Sequence, residues 1–137
     1  MQLNQGTDYA FRAVLHLANL PFGQVVTAQN IATAEMIPMR FLLKIMRHLT
    51  KAGLVKSFRG VEGGYALAKA PQEITLLDVV EAIEGPVTIN RCQVDKKYCS
   101  KNWADRCPVH KVLGGIKASM VEQLASHNFA DLVRKSY

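Results

Sequence analysis

Tyr9, Ala10, Ala13, Val14, Leu17 and Ala18 recur at steps of three and four, the spacing that gathers apolar side chains on one face of a helix. A first helix is therefore predicted to end before Pro21. Thr27 reads as the cap of a short second helix carrying Ile31 and Ala34, closed by Pro38, because the residue before a proline avoids the α region. Pro38 in turn suits the start of a third helix, which Gly53 stops. Leu54 to Arg59 and Tyr65 to Leu67 read as two short strands, joined by the turn-forming run Gly60-Val61-Glu62-Gly63-Gly64. Thr75-Leu76-Leu77-Asp78 opens a further helix with a capping-box pattern, and Val79, Val80, Ala82 and Ile83 carry it to Gly85-Pro86. From Asn90 to Arg106 no period of either kind is visible. Periodicity returns with Val109, Leu113, Ile116, Met120 and Leu124, the stripe of a long helix from about Pro108 to about Ser126, and Asn128 suits the cap of a last short helix with Phe129, Leu132 and Val133. Gly114-Gly115 inside the long helix costs about 1 kcal/mol each against alanine, a cost that is tolerable where a neighbouring backbone must approach closely.

Three short helices followed by a glycine-rich hairpin make a winged helix-turn-helix, so the predicted fold class is mainly α with a small β wing, plus the long C-terminal helix. The chain divides into residues 1–85 as the winged head with its following helix, 86–107 as a loop, and 108–137 as the long and final helices. On a wheel at ~100° per residue, Phe41, Leu42, Ile45, Met46 and Leu49 of the third helix share the side expected to be buried, and Arg40, Lys44, Arg47 and Lys51 share the opposite side. Between Met36 and Val61 there are six Lys or Arg residues and no acidic one, whereas a merely solvated face mixes both signs. With a formal charge of +6 over 137 residues, this distribution implies an anionic partner, and in a winged helix that partner is double-stranded DNA. Arg40, Lys44 and Arg47 are the candidate contacts in the major groove, and Arg59 on the wing suits the backbone or the adjacent minor groove.

The aperiodic segment holds all three cysteines, Cys92, Cys99 and Cys107, with His110 just beyond. An odd number cannot close as internal disulfides. Cys107 before Pro108 suits a helix cap, which places His110 on the same face three residues on. Arg91, Lys96, Lys97, Lys101 and Arg106 surround the thiols, and cations favour the thiolate that a metal needs. Spacings of six and seven residues between the cysteines exceed those of zinc knuckles and suit a larger object, an iron–sulfur cluster with three thiolates and one other ligand. A structural Cys3His zinc uses the same ligand types and is the alternative. His16, His48 and His127 read as ordinary helical residues with no ligand role. No secretory segment and no run near the ~18 residues of a membrane span is seen, so a cytoplasmic protein with reduced thiols is expected. Nothing resembles a phosphate-cradling glycine motif, a nucleophile with its base or a dinucleotide fingerprint, which argues against an enzyme.

The sequence resembles the IscR and NsrR group of bacterial winged-helix regulators over nearly its whole length. The resemblance is carried by Thr7-Asp8-Tyr9-Ala10, by Arg59-Gly60-x-x-Gly63-Gly64-Tyr65, by Thr75-Leu76-Leu77-Asp78-Val79-Val80 and by the three cysteines ahead of a long helix. It implies a homodimer whose long helices cross between subunits, two heads on a pseudo-palindromic operator, and DNA binding controlled by a cluster that senses redox state, iron–sulfur status or nitric oxide, with repression as the expected mode. Cys92, Cys99 and Cys107 match the family's cluster cysteines. His110 stands where IscR-like members place a ligand to a [2Fe–2S] cluster, the favoured reading. Asp8 stands where NsrR-like members supply a carboxylate to a [4Fe–4S] cluster across the dimer, the alternative.

Overall fold

The computed structural model describes residues 2–135. Helix α1 (Gln5–Ala18) opens where the Asn4 side chain accepts from the Thr7 N–H at 2.8 Å, and α2 (Ala28–Glu35) where the Thr27 hydroxyl accepts from the Asn30 N–H at 3.1 Å. The predicted cap at Thr27 is therefore present. The stop of α2 comes earlier than Pro38: Met36 turns left-handed at φ 55°, a conformation unusual for a side chain of that size. Helix α3 (Met39–Lys51) then starts immediately after Pro38, whose carbonyl accepts from the Leu42 N–H at 3.0 Å.

Ala10, Ala13, Val14 and Leu17 of α1, Ile31 of α2, and Leu42, Ile45, Met46 and Leu49 of α3 form one buried core. Phe41, expected on the buried side of α3, is 37% exposed and lies beside Tyr9 with ring centroids 6.1 Å apart. Its position lies ~60° from Lys44 at the edge of the cationic arc and ~40° from Ile45 at the edge of the apolar one, so it borders the core rather than entering it.

Strands β1 (Val55–Phe58) and β2 (Gly64–Leu67) pair antiparallel, Val55 opposite Leu67 and Phe58 opposite Gly64. Val26 bonds Tyr65 in both directions at 2.8 Å and fastens the wing to the segment ahead of α2. The approach is so close that a Cβ on Gly64 would lie 2.2 Å from the Val26 carbonyl oxygen, and one on Gly63 would lie 2.4 Å from that of Phe58. No other residue fits at these two positions without moving backbone.

Helix α4 (Leu76–Glu84) carries the full capping box: the Asp78 N–H donates to the Thr75 hydroxyl at 3.2 Å, and the Thr75 N–H donates to the Asp78 carboxylate at 2.9 Å. Thr75→Ala is expected to lower stability by about 1 kcal/mol, read as a lower urea midpoint with an unchanged m-value. The segment from Asn90 is less featureless than its sequence suggests. A single turn, α5 (Arg91–Val94), is capped by Asn90, and a 3-10 turn (Lys96–Tyr98) is capped by Asp95. Each is too short to register a period.

Helix α6 (Pro108–Ala125) begins with Cys107 as its cap residue and packs along α4. It has no buried residue, and Val109, Val112, Ile116 and Met120 are 58, 62, 47 and 43% exposed. Gly114 and Gly115 have open space beside them rather than a close backbone, so the expected reason for them is not found within one chain. His127 lies in the turn after α6 rather than in a helix, its carbonyl accepting from the Leu76 N–H. Asn128 caps α7 (Phe129–Lys135) through the Asp131 N–H at 2.9 Å, and Phe129 enters the core of the head. Among the described residues no helix is long and apolar enough to cross a membrane.

Candidate DNA interface and cysteine pocket

Arg40, Lys44, Arg47 and Lys51 all project from the outer face of α3, exposed. Burial of Leu42, Ile45, Met46 and Leu49 on the other face fixes that orientation. Arg40 lies over the Phe41 ring at 4.8 Å from its centroid, a cation–π contact that leaves the charge available to solvent. Arg59 follows β1 on the wing, also exposed. Among the described residues, none of Arg40, Lys44, Arg47 and Arg59 is held by an ion pair. An uncompensated row of cations on the third helix of such a head is suited to polyanion contact.

Cys92, Cys99, Cys107 and His110 line one cavity of about 170 Å³, together with Asn90, Arg91, Tyr98, Ala104 and Val109. The short turns bring them there. Cys92 lies on α5, Cys99 ends the 3-10 turn, and Cys107 and His110 belong to the start of α6. All three thiols are free and half-buried. Cys92 Sγ lies 2.9 Å from His110 Nδ1, so the histidine meets the cysteine most distant from it in sequence. Among the described residues, no three His, Cys, Asp or Glu side chains converge tightly enough to hold one metal ion. The four candidates share a cavity wall instead.

The Cys99 thiol is held below its ordinary range, first by the backbone N–H of Trp103, which donates to Sγ at 3.4 Å, then by that of Lys101. The Lys101 charge is the smaller contribution. The surrounding cations are therefore less directly engaged with sulfur than their sequence positions suggest. Lys96 pairs with Asp105, Lys101 lies over the Trp103 ring at 3.8 Å and Arg91 over the Tyr98 ring at 6.0 Å. The Asp105 carboxyl is held below the usual carboxylate range by the Lys96 hydrogen bond, and the charges of Lys96 and His110 act in the same direction. The donor set fits a soft-metal group: three reduced thiols, one activated by backbone donors, and an imidazole at the same cavity. Asp8 is elsewhere on the surface, bridged to Arg12 at 2.9 Å. Tyr98 and Ala104 also wall the cavity, and the sequence marks them only as apolar residues of the loop, a character shared by Val94 and Trp103, which do not line it.

A winged head with a cationic third helix, joined through a cysteine-lined pocket to a long exposed helix, is an architecture of the winged-helix regulator class. The sequence matches the Rrf2 family, described as iron-dependent transcriptional regulators, over residues 3–135, and the chain belongs to that family. Two helix-turn-helix-type transcriptional regulators from Mycobacterium tuberculosis strains are each 41% identical over 87 residues, which is 64% of this chain and 54% of theirs. The chain thus spans about half the length of the curated relatives it matches. The structure is similar to that of CymR, the global cysteine regulator of B. subtilis, with a TM-score of 0.77 and 26% identity, covering 100% of this chain and 99% of that one. It is also similar to T. potens IscR, with a TM-score of 0.72 and 27% identity, covering 100% and 89% of the two chains.

Proposed function

We propose that this chain is an iron–sulfur-cluster-dependent regulator that binds double-stranded DNA as a homodimer. The observation that carries this reading is the meeting of Cys92, Cys99, Cys107 and His110 at one cavity, in a chain of a family described as iron-dependent. These four residues would hold the cluster, with [2Fe–2S] favoured, and when bound it would supply a redox-sensitive cross-link between the loop and α6. The alternative of a [4Fe–4S] cluster completed by the partner subunit's Asp8 is carried by position alone. A structural Cys3His zinc with no sensing role is the alternative and would draw on the same four residues. Anaerobic purification followed by absorption and Mössbauer spectra tests the assignment. Two coupled irons per chain are expected; a colourless protein with one zinc would overturn it.

The homodimer is supported by α6, whose eighteen residues include none buried although Val109, Val112, Ile116 and Met120 are apolar. Exposed apolar surface of this extent marks an interface. Sedimentation at micromolar concentration should give a dimer, and a monomer would remove it. In the dimer, the two α3 helices would address half-sites ~34–36 Å apart on a pseudo-palindromic operator. Repression is the proposed mode, and redox state, iron–sulfur status or nitric oxide the proposed signal. Free cysteines and the cluster suit a cytoplasmic location.

Lys44→Ala should weaken binding at constant salt and flatten the slope of log K against log salt by about one unit, as expected when one phosphate contact is lost. Arg40, on the first turn of α3, is better placed for a base edge, where loss of a bidentate contact to guanine costs ~1–3 kcal/mol of discrimination. Unchanged affinity in both variants would remove α3 from the major groove.

A further inference from the structure

Leu43 interrupts the outer face of α3. It is 41% exposed and is absent from the apolar side chains that pack against the core, although it lies on the helix that supplies most of that core. Arg40 is three residues before it and Arg47 four residues after, so it shares a surface with both. A single exposed leucine is ordinary on most surfaces. Here it borders a row that otherwise offers only charge, ~40° round the helix from Arg47 and ~60° from Arg40.

Two other exposed apolar side chains nearby are accounted for differently. Phe41 is engaged by the Arg40 guanidinium and the Tyr9 ring, and Met36 precedes the helix in the turn. Leu43 has neither engagement. Phosphates offer an alkyl group nothing, whereas the major groove holds one apolar landmark, the C5 methyl of thymine. Leu43 lies one turn beyond Arg40, in the half of the recognition helix whose side chains reach base edges.

We propose that Leu43 reads the methyl group of a thymine close to the base addressed by Arg40, which makes it a specificity-determining residue. This rests on the reading of α3 as a major-groove helix, and the test separates the two. Duplexes enriched from a random pool by the wild-type chain are titrated at constant salt, with each thymine of one half-site replaced in turn by uracil, which removes only the methyl. One replacement should weaken wild-type binding about fourfold, the effect of withdrawing one buried methyl. The same replacement should leave Leu43→Ala unaffected, while Leu43→Met should restore the response. Alanine is a good helix former at an exposed position, so the variant should fold. If wild type ignores every uracil, or Leu43→Ala keeps the full loss, the inference falls while DNA binding stands. If wild type enriches no duplex, the major-groove reading fails and the inference fails with it.

Discussion

Replacing Phe129 with alanine is expected to lower the unfolding free energy by about 3–5 kcal/mol, the range for emptying a buried aromatic site. Phe129 is 1% exposed and belongs to the core of the winged head, although it comes from the penultimate stretch of the chain. Its N–H donates to the Ile74 carbonyl at 3.0 Å, and the Leu76 N–H donates to His127, so backbone bonds hold the ring's entry point on both sides. Relaxation can therefore refill little of the cavity. The loss is a large part of the ~5–15 kcal/mol by which domains are stable. Urea unfolding at matched protein concentration measures it, since any dimer makes stability concentration-dependent. A change below about 1 kcal/mol would mean that α7 is not docked in solution.

The second large effect concerns the pocket. Cys92→Ala, Cys99→Ala and Cys107→Ala are each expected to abolish or nearly abolish visible absorption and bound iron after anaerobic purification. His110→Ala should shift the spectrum and loosen the cluster with less damage, because a neutral donor is lost rather than a thiolate. Asp8→Ala should leave the spectrum nearly unchanged; its carboxylate is bridged to Arg12 and does not line the pocket. Cluster retention should weaken as pH falls, because protons compete with the metal for thiolate and imidazole alike. A spectrum sensitive to Asp8 and indifferent to His110 would transfer the fourth position to the partner subunit's carboxylate and overturn the two-iron preference.

Helices with a buried face were legible from the sequence, because burial imposes a period. Leu42, Ile45, Met46 and Leu49 mark α3, and the Thr75–Asp78 cap marks α4 almost to the residue. The wing was legible from its glycines: a Cβ on Gly63 or Gly64 would strike a carbonyl oxygen, and Gly60 turns at φ 100°. What escaped were features that local pattern does not encode. The stop of α2 depends on Met36 adopting φ 55°, which no residue preference announces, and α5 rests on one turn and the Asn90 cap. In the site, the ligand types could be named from spacing, but the contact between Cys92 and His110 spans eighteen positions and arises from the fold of the loop. The electrostatic reading also shifted. Lysines and arginines are countable in a sequence, whereas the backbone N–H of Trp103 that chiefly acts on Cys99 is invisible until the turn is formed.

The two ends of α6 are held unequally. Near Ser126 the chain passes at once into the Thr75–Asn128 bridge and the Phe129 anchor, while at Pro108 it is met by short capped turns. A helix of 18 residues is about 27 Å long. Pivoting about the anchored end by ~10° would therefore swing the pocket end through about 5 Å, more than one base-pair rise. In the proposed dimer α6 would be a rigid rod joining the cysteines to the head in which its far end is anchored, so a displacement of about 5 Å at the cysteines would correspond to a turn of only ~10° at the head.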